Sequence, residues 1–373
     1  MLNLFTKTKP WMVVSLVAAT SVFGKNNSQQ SCPPKNCPQP TPPTQTCPSD
    51  ACCPAWPTPV LNAAYNYPAR VQTRCPWDIF FDASFVYWQP VLDNIELGIG
   101  NATSSPVTNV NGDFINMDFD FKPGFKVGLG GNFDHDNWDV RFGYTWFHTT
   151  NSKSAVAPTN GVIIPSQGTP ARQTGTFASA SENWDLRMDI LDFDLGRWYY
   201  VGTKLVFHPV VGVRADWIRQ HLKTNYTSTS DRAVVTQNSR SWALGPKIGL
   251  DTNWNVGMGF RFFGNSEADL LFTDYTDSSF SETHTLTTHP FQTKQSNIYA
   301  VRPHFDLDLG LGWGTALDCN NWYMDFTVGY EFQVFFDQNM FRHFTDDQMV
   351  ANSNMPNGNL YLQGLTASFK LDF

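Results

Sequence analysis

Cysteine has the clearest chemical capacity in this sequence, because its thiols can form and exchange disulfides. Five of the seven cysteines lie between Ser31 and Pro54, in a stretch whose many prolines exclude helix interiors and central strands. The adjacent thiols of Cys52 and Cys53 cannot readily pair with each other. The cysteines of the stretch are Cys32, Cys37, Cys47, Cys52 and Cys53, and the other two are Cys75 and Cys319.

An odd number of cysteines in an exported chain indicates an intermolecular partner or a free thiol. We interpret the stretch as an extended tether that forms disulfides with other chains. A local disulfide knot and a zinc site are the alternatives. Zinc is the least favoured, because the stretch has no CxxC pair and no nearby histidine.

Charged side chains form a second set with chemical capacity, because they recur at every second position. Between Asn297 and Trp313, for example, His304, Asp306 and Asp308 share one parity and leucines occupy the other. Such residues on the inner face of a closed barrel would line a passage and tune its ion selectivity. Their acidic excess predicts a mild preference for cations, and the alternative is a plug of salt bridges. The predicted pore-lining residues are Arg141, Arg187, Asp189, Arg214, Asp216, Lys247, Arg261, Glu267, Asp269, Arg302, His304, Asp306, Asp308, Asp325 and Glu331.

Enzymatic chemistry has no support in the remaining motifs. The sequence contains no nucleophile motif, no HExxH metal signature and no phosphate-binding glycine loop. His304 beside Asp306 is better explained as part of a charged row. We therefore predict no catalytic residue, no metal and no cofactor.

The elements that must position these residues show a period of two, which is typical of strands with one apolar and one polar face. One segment changes parity at Ile190 and Leu191, and we expect a β-bulge there. The predicted strands lie near 78–90, 122–133, 138–148, 183–195, 206–218, 238–251, 259–273, 297–313, 321–336 and 360–373.

Long and short connections alternate between these strands, as in outer-membrane barrels with short periplasmic turns and long outer loops. The fold class is therefore all-β: an antiparallel up-and-down transmembrane β-barrel of about ten strands, or twelve if a long loop hides a hairpin. Both ends of the barrel fall on the short-turn side. All seven cysteines would then be periplasmic.

The amino-acid composition is typical of a membrane barrel and limits the classes of molecule that the protein can bind. Aromatic residues make up 15% and charged residues 16%, with a mean hydropathy of -0.31 and a net charge of -8. The acidic balance argues against nucleic acid. Residues 1–24 combine lysines, an apolar run and a small residue at the end, which predicts a signal peptide. Residues 25–76 form the Pro/Cys-rich segment, predicted to be periplasmic, and residues 77–373 the barrel.

Four stretches resemble the major outer-membrane protein family of Legionella, related to pore-forming proteins of environmental chlamydiae. They are WDIFFDASFVYWQP (77–90), FKPGFKVGLGGNFDHDNWDVRFGYTWFH (121–148), LGPKIGLDTNW (244–254) and the last strand. The resemblance covers the chain from about residue 76 and implies a disulfide-linked outer-membrane porin. The Pro/Cys-rich segment departs from the Legionella pattern and is more like a chlamydial envelope, where other cysteine-rich proteins would be the disulfide partners.

The C-terminal strand LTASFKLDF ends on an aromatic residue and resembles the signal read by the barrel assembly machinery. Phe369, Leu371 and Phe373 share its apolar parity, although Leu371 stands where an aromatic residue is common. Outer-membrane lipid and the assembly machinery are the partners that follow. The sequence does not decide whether the protein forms a homo-oligomer, since no segment marks a subunit interface. A closed barrel acting as an adhesin or as a purely structural protein is the alternative function.

Overall fold

The computed structural model describes residues 69, 73, 78–102, 110–133, 137–170, 176–285, 289–318, 320–345, 352–355 and 357–373. All seven cysteines, the predicted signal peptide and nearly all of segment 25–76 lie outside these residues. Nowhere in the described part of the chain does a helix have the length and apolar character needed to cross a membrane.

The described residues form seventeen strands. Their bounds in chain order are β1 (Ile79–Leu92), β2 (Gly98–Asn101), β3 (Gly112–Ile115), β4 (Lys122–Asn132), β5 (Trp138–Val156), β6 (Val162–Pro165), β7 (Ser179–Arg197), β8 (Tyr199–Tyr200), β9 (Leu205–Thr227), β10 (Arg232–Gly257), β11 (Phe260–His284), β12 (Phe291–Gln295), β13 (Ile298–Leu317), β14 (Trp322–Phe335), β15 (His343–Phe344), β16 (Ser353–Asn354) and β17 (Leu360–Asp372).

Ten of these strands close into an antiparallel barrel, which confirms the predicted fold class. Their order around the wall is β1, β4, β5, β7, β9, β10, β11, β13, β14 and β17, and β17 pairs back onto β1. The short strands β8 and β12 pair beside β9 and β11. Two small sheets, β2–β3–β6 and β15–β16, lie in the connections.

The barrel has two different ends. Short connections near 133–137, 198–204, 258–259 and 318–321 define the turn end, and the opposite end, with connections 93–121, 157–178, 285–297 and 336–359, is the loop end. At the loop end the strands run further than predicted. Residues 219–237, predicted as a loop, are mostly strand and leave only a tight turn between β9 and β10. Alternation is weaker there because Gln220, Thr224 and Gln237 interrupt the apolar inward positions.

The outer wall carries an apolar belt. On β9 the outward side chains from Leu205 to Trp217 are apolar, and Arg219 is the next outward residue toward the loop end. At ~3.3 Å per residue and a tilt of ~40°, this stretch rises roughly 30 Å, enough to cross the ~25 Å apolar band of an outer membrane. The strands therefore continue beyond the lipid at the loop end.

The predicted bulge at Ile190 and Leu191 is wrong. β7 pairs with both neighbours in unbroken register through these residues. Its even positions point inward throughout, so Ile190 faces the interior and Leu191 is 46% exposed on the outer wall. The parity changes because the interior itself changes from apolar to charged along the strand. A register shift occurs instead on β11, where Thr276 has no partner on β10.

Candidate functional site

The barrel interior is the candidate site, and it has two zones. The charged zone fills the half at the turn end and surrounds a cavity of about 560 Å³. The apolar zone fills the half at the loop end with packed side chains. The border crosses each strand at a defined step, for example between Asp192 and Ile190 on β7 and between Asp269 and Leu271 on β11.

Arg214 is the centre of the charged zone. Its guanidinium donates to Asp192 Oδ1 at 2.7 Å, Glu267 Oε2 at 2.8 Å and Asp269 Oδ2 at 2.9 Å. Lys247, on the neighbouring strand β10, lies 2.6 Å from Asp194 Oδ1. One arginine can satisfy three carboxylates because its five N–H groups point in fixed directions within one plane. These side chains bridge the interior between strands β7, β9, β10 and β11.

A second pair lies flat against the wall above glycines. Arg141 donates to both carboxylate oxygens of Asp82, at 2.8 and 2.7 Å. A Cβ at Gly128 would lie 2.3 Å from Asp82 Oδ1, and one at Gly143 would lie 2.8 Å from Arg141 Nη1. Arg261 pairs with Asp325 in the same way, over Gly312. The room left by these glycines is therefore occupied by ion pairs.

Two acids of the charged zone differ from the rest. Asp306 and Asp308 lie on β13 beside Glu331, whose Oε1 accepts from Lys126 Nζ at 2.5 Å. The Oδ1 atoms of Asp306 and Asp308 are buried and accept no hydrogen bond from any described residue. Asp306 is only 8% exposed. Three acidic side chains of β13 and β14 therefore lie together, and Lys126 is paired with one of them.

His208 closes the turn end of the charged zone. Its ring stacks on Trp198 at 4.0 Å, and its nitrogens lie 3.0 Å from Asp139 Oδ1 and 2.8 Å from Asp251 Oδ2. In the described part of the chain, no group of three or more histidine, cysteine or acidic side chains has the arrangement of a metal site. The His208 ring therefore lies between two carboxylates, Asp139 on β5 and Asp251 on β10.

The apolar zone is a continuous core inside the barrel. Its largest members, Trp88, Phe147 and Trp184, are fully buried. Trp88 and Phe147 pack with ring centroids 5.4 Å apart. Side chains from the connections complete it, including Ile95, Met117 and Phe341. This packing leaves the lumen closed at the loop end.

The segment 337–342, here called the lid, lies across the mouth of the barrel. Gln338 is 3% exposed, and its amide donates to Ser241 Oγ at 3.0 Å. Ser278 Oγ donates to Met340 O at 3.0 Å, and Arg342 N donates to Gln237 Oε1 at 2.8 Å. Polar side chains of β10 and β11 therefore hold the lid, without strand pairing within the segment. An ion pair adds to these contacts, because Arg302 Nη1 on β13 lies 3.3 Å from Asp337 Oδ2.

Most of the predicted pore-lining residues point inward, as expected. Asp216 lies near the border between the two zones. Arg302 lies in the loop-end half, where its Nε donates to Tyr275 Oη at 3.3 Å. The inward-facing residues are Arg141, Arg214, Asp216, Lys247, Arg261, Glu267, Asp269, Arg302, His304, Asp306, Asp308, Asp325 and Glu331. Their role in a pore stays a prediction.

The prediction that Arg187 and Asp189 line the lumen is wrong, because both side chains lie on the outer wall. They share the outward parity of Leu191 on β7. Asp189 Oδ1 accepts from Tyr144 Oη at 2.7 Å, and Tyr144 also faces outward. The prediction assumed that any outward charge would sit in lipid. These two residues lie beyond the apolar belt, where an outward charge carries no such cost.

Several residues of the charged zone were missed by the sequence prediction. Asp192 and Asp194 share the inward parity that the expected bulge itself gave to this part of β7, so alternation could have found them. Asp251 fits the parity of Lys247 on β10 and could have been found in the same way. Asp82, Lys126 and His208 stand alone among apolar or small inward neighbours, which gave no row of charges to recognise.

The predicted assembly signal lies at the seam of the barrel. Phe369, Leu371 and Phe373 share the outward parity of β17. Phe373 N donates to Ile79 O at 3.0 Å, and its ring packs on Trp322 at 5.6 Å. Recognition of these residues by the assembly machinery stays a prediction.

A family profile described as the Legionella pneumophila major outer membrane protein precursor matches residues 71–373. The chain belongs to this family. The predicted resemblance is thereby confirmed, and the barrel is that of an outer-membrane protein. No curated protein matches the chain at the significance required.

Solved structures of outer-membrane proteins match the chain at low identity. The outer membrane protease OmpT from Escherichia coli has 11% identity over 82% of this chain and 99% of its own, with a TM-score of 0.38. A Pseudomonas aeruginosa FadL homologue has 7% identity over 79% and 89%, with a TM-score of 0.27. The toluene transporter TodX from Pseudomonas putida has 9% identity over 80% and 91%, with a TM-score of 0.27.

Proposed function

We propose that this protein is an outer-membrane pore for ions and small hydrophilic solutes, without enzymatic activity. The charged zone is the observation that supports a pore. Burying charges costs desolvation energy that ion pairing often fails to recover, so a barrel needed only for mechanical strength gains nothing from this zone. A cavity of about 560 Å³ lined by charged groups is suited to hydrated ions. The loop end faces the cell exterior in this proposal.

The arrangement corresponds to a closed state. The apolar zone and the lid block the lumen at the loop end, and the lid is the element that can move. Its contacts include hydrogen bonds between neutral groups, each worth about 0.5–1.5 kcal/mol, and one ion pair at its edge, in which Asp337 Oδ2 lies 3.3 Å from Arg302 Nη1. Opening would displace Gln338 and Phe341 from the interior and give the wall side chains of the apolar zone room to move aside, which would connect the charged zone to the outside.

Single-channel conductance of the full chain in planar bilayers tests this proposal. A variant with residues 337–342 replaced by a Gly-Ser linker should conduct more often or in larger steps than the wild type. A linker replacing Ser228–Ser230, at the exposed turn between β9 and β10, is the control and should leave conductance unchanged. Silence of both the wild type and the lid variant, with the barrel folded, would reject the pore.

The excess of acids on β13 supports a preference for cations. Asp306→Asn together with Asp308→Asn should lower the ratio of cation to anion permeability. The matched control is Asp185→Asn with Asp189→Asn, which removes two outward charges from β7. An equal change in both double variants would show that the cation preference does not arise at Asp306 and Asp308.

A closed structural barrel is the second candidate, and the continuous apolar zone favours it. An adhesin would also use a closed barrel, with its ligand contacts in the loops. A lid variant that assembles in the outer membrane but does not conduct would support a structural barrel or an adhesin over a pore.

The cysteines give a separate proposal, namely disulfide cross-linking to other cysteine-rich proteins of the envelope. All seven lie outside the described residues, so the support is the sequence alone. Replacement of the five cysteines from Cys32 to Cys53 by serine should abolish high-mass ladders on non-reducing gels and leave conductance intact. Persistent ladders would reject the tether.

Phe373 is proposed as part of the signal for barrel assembly. Removing it should lower the amount of protein in the outer membrane, because the last aromatic residue of β17 would be lost. Phe369→Ala is a further test of the same strand. Unchanged outer-membrane levels in both variants would count against the signal.

A further inference from the structure

Three arginines stand side by side on the outer wall of the barrel. Arg219 on β9 is the direct cross-strand partner of Arg187 on β7 and of Arg240 on β10. All three side chains are exposed and outward-facing. Directly opposite residues have Cβ atoms ~4.5–5.5 Å apart, and like charges at that spacing repel. This arginine row is therefore unfavourable without a neutralising anion.

Three carboxylates lie beside the row, but none of them forms an ion pair with it. Asp185 and Asp189 flank Arg187 on the same face of β7, but both have other partners. Asp189 contacts Tyr144 and His148, and Asp185 Oδ1 accepts from Thr150 Oγ1 at 2.5 Å. Within the described residues, no side chain forms a hydrogen bond or an ion pair with the three guanidinium groups. Asp277 on β11 is the direct cross-strand partner of Arg240, but its carboxylate lies 3.7 Å from Lys294 Nζ instead. The N–H donors of the three guanidinium groups are therefore available to a ligand.

The row lies just beyond the edge of the apolar belt. Trp217 and Trp242 are direct cross-strand partners, two residues nearer the belt than Arg219 and Arg240. Tryptophans in such positions mark the interface between hydrocarbon and headgroups. The guanidinium groups therefore lie at the level of lipid phosphates in the leaflet next to the loop end.

The row also occupies one side of the barrel alone. On β13, β14 and β17, the outward residues in the loop-end part of each strand are uncharged: Tyr299, Val301, Phe332, Val334, Tyr361 and Gln363. A general attraction to headgroups would place basic residues all around the wall. A row confined to three neighbouring strands is suited to one bound molecule.

We propose that the arginine row is a binding site for the phosphate monoester of a lipid headgroup. A monoester carries about -1.5 to -2 charges at neutral pH, against about -1 for the phosphodiester of ordinary phospholipids. It therefore interacts more strongly with adjacent guanidinium groups, and its oxygens accept paired N–H donors from them. A groove beside Arg187, lined also by Lys122, His148 and Asp185, gives room for the rest of the headgroup.

The test measures lipid retained by the purified full chain in nanodiscs, using native mass spectrometry. Discs contain phosphatidic acid or lipid A as monoester lipids, or phosphatidylglycerol with matched acyl chains as the diester. The wild type should retain the monoester lipids several-fold more than phosphatidylglycerol. Arg187→Gln, Arg219→Gln and Arg240→Gln combined should lower that retention at least about tenfold, since each charged hydrogen bond is worth about 1.5–3 kcal/mol.

The matched control is Lys204→Gln, Lys223→Gln and Arg232→Gln combined, which removes equal charge from exposed side chains outside the row. It should retain the lipid as the wild type does. Equal losses in both triple variants, or equal retention of monoester and diester lipids, would overturn the proposal. Displacement of the lipid by millimolar inorganic phosphate would also overturn it, since the row would then be a site for free phosphate.

Discussion

The two halves of the barrel interior are built on the same strands but in opposite ways. At the turn end the inward positions hold charges arranged in pairs, and at the loop end they hold tryptophan, phenylalanine and leucine. Backbone hydrogen bonding is the same in both halves. The comparison teaches that strand geometry decides only which side chains face the lumen. The chemistry of those side chains then decides whether the space is a cavity or a core.

The largest expected effect on stability comes from removing the positively charged side chain at the centre of the charged zone. Arg214→Leu would leave Asp192, Glu267 and Asp269 without their shared donor. Breaking a buried ion pair from one side costs about 3–5 kcal/mol, and we expect a loss of that size in the free energy of unfolding. Urea titration of the refolded protein in lipid vesicles, followed by tryptophan fluorescence, measures it.

Lys223→Gln is the control for Arg214→Leu, because Lys223 is an exposed residue on the same strand. It should change the free energy of unfolding by less than about 0.5 kcal/mol. If Arg214→Leu were no more destabilising than this control, the charged zone would be a wet cavity whose ion pairs contribute little.

A truncation in the apolar zone should have the next largest effect. Leu186 is fully buried inside the barrel, so Leu186→Ala would leave a cavity and cost about 2–4 kcal/mol. Leu191→Ala, on the outer wall of the same strand, should cost less, because lipid chains can fill the space. The same urea titration compares the two. Equal losses would show that the apolar zone is not packed as a core.

An added methyl group tests how closely the ion pairs lie on the wall. Gly128→Ala would place a Cβ 2.3 Å from Asp82 Oδ1 and push the carboxylate away from Arg141. Overpacking of this kind costs about 1–3 kcal/mol. Gly131→Ala is the control on the same strand, where the nearest atom would lie at 3.4 Å. A small effect of Gly128→Ala would mean that the pair can move into the cavity.

The smallest effect concerns pH at the loop end. Burial lowers the pKa of His343, whose Nε2 lies 3.2 Å from Asn94 O in the connections. Because the pKa is lower in the folded state, the unfolded chain binds more protons as pH falls below about 6.5, and stability decreases. The drop in unfolding free energy between pH 7.5 and pH 5.5 should be smaller in His343→Gln. An unchanged drop would place His343 in contact with water.

Alternation in the sequence was enough to predict the barrel, because a strand in lipid must present apolar side chains at every second position. It also predicted the inward direction of residues such as Arg214 and Asp306. It failed where the environment changes along a strand. At Ile190 the interior becomes apolar, which was interpreted as a bulge, and at Arg187 the exterior becomes aqueous, which was interpreted as a lumen position. The spacing of residues alone does not distinguish these two changes of environment from a bulge or a lumen position.

The pairs themselves could not be predicted. Which carboxylate meets Arg214 depends on the stagger between strands, and the sequence alone does not give that stagger. The glycines were taken as a sign of free space, whereas Gly128 and Gly312 lie beneath ion pairs. The apolar zone was unexpected for a similar reason, since its members come from eight or more strands and connections that are distant in sequence.

The seam between β1 and β17 has a consequence for how the protein folds. Leu92 pairs with Leu360 and Phe80 with Asp372, so the strand that closes the wall meets a partner almost the whole length of the domain away. Such distant pairings are slow to form. Until β17 arrives, both β1 and β14 have an unpaired edge, which is a template for pairing with other chains. A nascent chain therefore needs protection of these two edges for as long as its last strand is missing.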